Sequence, residues 1–125
     1  MRFMMLMIPN IKDDNWMPSA EAVGAMTKFN QDMIKSGVML SGEGLLSPKT
    51  SARVKFGAAT PQVTDGPFAE AREVIGGYWI IQTKNKAEAI EWVRRCPALP
   101  GDVIEIRQVA ELSDFPEDVQ KAVAR

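Results

Sequence analysis

Residues 3–8, Phe3-Met4-Met5-Leu6-Met7-Ile8, are apolar at every position. In an extended chain Phe3, Met5 and Met7 share one face, and Met4, Leu6 and Ile8 share the other. A strand that is apolar on both faces belongs in a sheet covered on both sides. Methionine is a weak strand former, so burial rather than intrinsic preference has to keep this segment extended. Residues 76–83 make the same demand. Gly77, Trp79, Ile81 and Thr83 lie on one face, with Tyr78, Ile80 and Gln82 on the other, and the segment reads as a central strand.

The chain offers two core helices to cover such a sheet. Residues 19–36 carry Ala22, Met26, Phe29, Met33 and Ile34 at helical spacing. Ser19 is the expected N-cap, Glu21 sits in the first turn, and Gly37 supplies the stop. Residues 85–96 form a second helix, with an Asn85/Glu88 capping box and a stripe of Ala89, Ile90, Val93 and Cys96 that ends at Pro97. Residues 38–46 read as a strand with a glycine-bearing bend at 41–44. Residues 52–56 and 62–64 read as short strands. Residues 103–109 read as the last core strand, and residues 114–124 as a weaker terminal helix. The order strand, helix, strand, short hairpin, strand, helix, strand is that of an α+β, ferredoxin-like split βαβ domain with an inserted hairpin. The domain is assigned to residues 1–110, with 111–125 as a helical extension. Two helices cover only one sheet face. A homodimer that packs sheet against sheet, a dimeric α+β barrel, covers the other.

Composition removes several functions. The 125 residues carry 15 Lys+Arg against 16 Asp+Glu, for a net charge of −1, which leaves no electrostatic footprint for nucleic acid. There is no histidine, so Ser-His-Asp and Cys-His catalysis and imidazole zinc sites are excluded. The single cysteine cannot form an intrachain disulfide. Any metal site would need carboxylate oxygens alone, and no calcium-loop spacing occurs, so neither metal nor cofactor is expected. The apolar run at the N-terminus is shorter than a signal peptide requires, and no segment approaches the roughly 20 apolar residues of a membrane span. A cytoplasmic protein without membrane contact is expected.

The candidates for chemistry are carboxylates and arginines. Asp65-Gly66-Pro67-Phe68 is a strong turn signal. As structure, Asp65 caps, Gly66 takes a backbone angle that only glycine adopts cheaply, and Phe68 buries. As chemistry, Asp65 is a general base or a ligand-binding carboxylate at a pocket rim. Glu43, between Gly42 and Gly44, is either a second catalytic carboxylate on an accessible strand end or part of a solvated bulge. Glu70, Arg72 and Glu73 are either a solvated charged turn or a ligand anchor, Arg72 holding an anion with two N–H groups. Glu105 and Arg107 alternate with Ile104 and Ile106, so both point away from the helices. They form either a structural ion pair or the polar lining of a ligand pocket, with Arg107 as anion anchor. Trp79, Tyr78 and Trp92 read as core or interface aromatics, and Cys96 as packing.

The run Val63-Thr64-Asp65-Gly66-Pro67-Phe68-Ala69-Glu70, followed by Glu73 and Gly76-Gly77-Tyr78, resembles the signature of the DGPF-domain proteins of the YCII-related family. Gly42-Glu43-Gly44-Leu45, Glu91-Trp92 and Glu105-Ile106-Arg107 are also similar to that family, so the likeness spans roughly residues 1–109. The resemblance implies a ferredoxin-like α+β dimer and no settled reaction. A His-Asp pair proposed as catalytic in some relatives has no counterpart here, because histidine is absent. Related domains near or fused to sigma-factor-type regulators imply a regulatory partner. Two readings follow. One is a small-molecule-binding or regulatory dimer without turnover. The other is a cofactor-free enzyme that uses Asp65 and Glu43 on a small polar or anionic molecule in the dimer cavity, a reading supported by fold analogy to cofactor-free oxygenases.

Overall fold

A computed structural model describes residues 1–10, 17–57, 59–68 and 74–123. In chain order its elements are β1 (Arg2–Ile8), α1 (Ala20–Lys35), β2 (Met39–Gly44), β3 (Ala52–Lys55), β4 (Gln62–Asp65), β5 (Gly77–Gln82), α2 (Lys86–Arg94), β6 (Val103–Gln108) and α3 (Glu117–Val123). Short 3-10 turns occupy Pro48–Thr50 and Leu112–Asp114. The two strands that are apolar on both sides are neighbours at the centre of a four-stranded sheet of order β2-β5-β1-β6, with every pairing antiparallel. With α1 crossing from β1 to β2 and α2 from β5 to β6, this is the expected ferredoxin-like α+β arrangement. The inserted β3 and β4 form a separate two-stranded sheet.

Alternation decides what each face carries. Phe3 and Met5 of β1 and Trp79 and Ile81 of β5 are buried with Phe29 and Met33 of α1, Val38, and Ala89 of α2. Ile104 and Ile106 of β6 pack against the same core. Trp79 meets Phe29 edge-on, with ring centres 6.2 Å apart, and its indole N–H donates to Asn30 Oδ1 at 2.8 Å. The ring is therefore buried without leaving its donor unpaired.

The helix ends follow the expected chemistry, with one departure at the start of α2. Ser19 Oγ accepts from the Ala22 amide at 3.1 Å, and Gly37 stops α1 with φ 71°. Asn85 Oδ1 accepts from the Glu88 amide at 2.9 Å, but the Glu88 carboxylate reaches the amide of Lys84 rather than that of Asn85. The reciprocal half of the capping box is thus shifted by one residue. Ile34, expected on the core face of α1, is 59% exposed. It follows the buried Met33 by one residue, a turn of about 100° around the helix axis, which carries it off the stripe. In β2 the irregularity falls between Met39 and Ser41, ahead of the bend expected at 41–44.

The C-terminal segment is tied back to the sheet. The Val109 amide donates to the Arg2 carbonyl at 2.9 Å. The Arg2 guanidinium grips both oxygens of Glu111, at 2.7 and 3.1 Å. Of the expected terminal helix, residue 124 lies outside the described residues.

Candidate functional site

The sheet face turned away from α1 and α2 carries two cross-strand rows. By register, Glu43, Tyr78, Leu6 and Glu105 form one, and Ser41, Ile80, Met4 and Arg107 the next. Each row is apolar over the two central strands and polar at both edges. Met4, Leu6, Tyr78 and Ile80 are half-buried, while Ser41, Glu43, Glu105 and Arg107 are exposed. Arg107 and Glu105 do point away from the helices, as alternation requires. Their side chains approach to 4.0 Å and remain well exposed, so the pair is a loose surface contact. Glu43 shares this face with Arg107 but stands on the opposite edge strand. Three strand spacings separate them, roughly 14 Å, so within one chain they do not act on the same atom.

Asp65 sits elsewhere. It ends β4, opposite Ala52, and is exposed. The register puts Ala52, Val54, Val63 and Asp65 on one side of the hairpin and Arg53, Lys55, Gln62 and Thr64 on the other. Asp65 and Glu43 thus belong to different sheets. Gly66 departs from expectation. Its φ is not positive, so the backbone-angle reason for glycine does not hold. Space is the reason instead: a Cβ would overlap the Pro48 carbonyl oxygen and approach Ser51 Oγ to 2.8 Å. The Gly66 amide donates to the Ser51 carbonyl at 2.7 Å, which locks the hairpin base against the 48–51 turn.

Between the end of β2, that turn and the hairpin lies a cavity of about 550 Å³. Leu45, Leu46, Phe68 and Ile75 give it an apolar wall, and among the described residues Arg53 is its one cationic side chain. The Arg53 guanidinium carbon lies 3.9 Å from the centre of the Phe68 ring, a cation–π contact. The Leu45 amide donates to the Gly76 carbonyl at 2.9 Å and anchors the cavity to the sheet. None of Asp65, Glu43, Glu105 and Arg107 lines it. Local sequence pattern marks Phe68 only as a residue to bury and gives no sign of Arg53, whose partner is fixed by hairpin register. Glu70, Arg72 and Glu73 lie outside the described residues.

Cys96 is half-buried beside Met26, with the two sulfurs 3.9 Å apart. Burial first, and then the negative charge of Asp102, push its thiol up to about 11. That suits packing and not nucleophilic work. Among the described residues no group of three or more His, Cys, Asp or Glu side chains is placed to hold a metal ion, and no helix is long and apolar enough to cross a membrane.

Comparison with curated proteins returns no match. Comparison with protein families matches residues 1–113 to the YCII-related domain. That span takes in the whole four-stranded sheet, both covering helices and the hairpin that carries Asp65-Gly66-Pro67-Phe68. The chain belongs to the YCII-related family.

Proposed function

We propose that this protein is a homodimeric α+β barrel whose two sheets face one another, and that it binds a small molecule without turning it over. The observation that carries the reading is the sheet face turned away from α1 and α2, apolar through Met4, Leu6, Tyr78 and Ile80 and polar at both edges. An apolar centre inside a polar rim is the anatomy of a protein interface, and a two-fold axis lets one surface serve both partners. The binding part is supported by the cavity beside Phe68, whose volume falls within the usual range for small-molecule sites. Acid–base catalysis by Asp65 and Glu43 would need both carboxylates on one substrate, and they stand exposed on separate sheets.

Methyl NMR with a soluble paramagnetic probe tests which face is covered. Signals from Met4, Leu6 and Ile80 are expected to stay sharp while the exposed Ile34 and Leu46 broaden. Equal broadening of Ile80 and Ile34 would remove the face-to-face arrangement. Ligand-observed NMR against a metabolite library tests the binding half. Chemical conversion of a bound compound would replace the module with an enzyme.

A further inference from the structure

We propose that the cavity between β2 and the β3–β4 hairpin binds a small amphipathic carboxylic acid, its carboxylate on Arg53 and its apolar body against Leu45, Leu46 and Ile75. This rests on the binding-module reading and gives it a site and a ligand class. Leu45, Leu46 and Ile75 are large apolar side chains left exposed around one concavity, and Phe68 closes its wall. Apolar groups gathered in a concave surface, rather than scattered, mark a place where apolar matter binds.

Among the described residues the charge in the cavity has one sign. Arg53 lines it, and no Asp or Glu does. Among the described residues no carboxylate pairs with Arg53. Its guanidinium lies over the Phe68 ring. A ring takes up the face of a guanidinium and leaves its N–H edge, a fork that matches the two oxygens of a carboxylate. The ring also fixes a long, flexible side chain in place, which lowers the ordering cost of binding. Two of the rim hydroxyls already donate inward, Ser51 to the Pro48 carbonyl at 2.6 Å and Thr50 to the Ser47 carbonyl at 3.4 Å, while Ser47 Oγ accepts from the Lys49 amide at 3.3 Å. Among the described side chains this leaves the Arg53 guanidinium and the Ser47 hydroxyl as donors, a smaller set than a phosphate dianion calls for. One guanidinium with an apolar wall therefore favours a monoanion carrying a ring or a short branched chain.

The test is amide NMR titration with phenylacetate, the neutral phenylacetamide and phenyl phosphate as probes. Phenylacetate is expected to shift the amides of residues 45–53 and of Phe68. Phenylacetamide is expected to bind at least about tenfold more weakly, since a hydrogen bond to a charged group is worth about that factor. Arg53→Gln is expected to bring phenylacetate down to the level of phenylacetamide, while Arg107→Leu leaves it unchanged. Arg53→Lys keeps the charge without the fork and is expected to fall between wild type and Arg53→Gln. Equal binding of acid and amide at these residues overturns the carboxylate class but keeps a small-molecule site. Tighter binding of phenyl phosphate than of phenylacetate overturns it in favour of a phosphate site. Phenylacetate shifts centred on Arg107 overturn the location. No shift from any probe at millimolar concentration overturns the proposal, and the metabolite screen then decides the binding-module reading separately.

Discussion

Gly66 lies against the carbonyl group of Pro48 with no room between them for a side chain. The obstructing atoms are backbone, with the Pro48 carbonyl carbon 3.0 Å from where a Cβ would stand, so relief requires moving the hairpin base. Gly66→Ala is expected to destabilise the fold by about 1–3 kcal/mol, the usual range for forced overpacking. Gly44→Ala is the comparison, because a Cβ there meets nothing within 4 Å. It is expected to stay within about 0.5 kcal/mol of wild type. Urea unfolding of both variants checks this, and an unchanged midpoint for Gly66→Ala contradicts it.

Gly24 stands inside α1, and a Cβ there also meets nothing within 4 Å. Alanine restricts the unfolded chain and suits a helix better than glycine does. Gly24→Ala is expected to stabilise by about 0.5–1 kcal/mol, read as a raised unfolding midpoint.

Glu111 is held below the ordinary carboxylate range, chiefly by the hydrogen bond from Arg2, although burial opposes the shift. A carboxyl whose folded pKa is lowered contributes stability above its unfolded pKa and loses it as pH falls through the folded one. The tie between the C-terminal segment and β1 is therefore complete at neutral pH and released in acid. Carbon-detected NMR titration of Glu111 is expected to give a midpoint below the normal glutamate value. In Arg2→Gln the midpoint is expected to rise. The same midpoint in both proteins would show that Arg2 is not the cause.

Cys96, with its thiol pushed up to about 11 by burial and then by Asp102, stays protonated at neutral pH. Iodoacetamide is expected to modify the native protein far more slowly than the urea-unfolded chain, because the thiolate is the reacting species. Equal rates would contradict the buried, protonated thiol.

What could be read from the chain is what depends on local period. The strand alternation that buries Trp79 and Ile81 and turns Tyr78 and Ile80 outward needs only the pleat. The same holds for Ile104 and Ile106 against Glu105 and Arg107. The Gly37 stop needs only one turn of helix. Contacts between distant segments were not legible. Gly66 is required by Pro48, far back in the chain, and not by its own backbone angle. Arg53 meets Phe68 through the hairpin register and the turn that follows it. Glu43 and Arg107 could be assigned to one face by alternation, but only the order β2-β5-β1-β6 sets them at opposite edges.

Ile80 occupies the middle of the face turned away from α1 and α2, beside Ser41 on one side and Met4 on the other. A carboxylate there would be buried without a partner if two such faces met. A stable interface of this kind is expected to bury about 1,000 Å² or more in total. Sedimentation equilibrium at micromolar concentration is expected to return twice the chain mass of 13.8 kDa for the wild type and the single chain mass for Ile80→Glu. A folded wild-type protein sedimenting as a monomer at that concentration would contradict the face-to-face dimer.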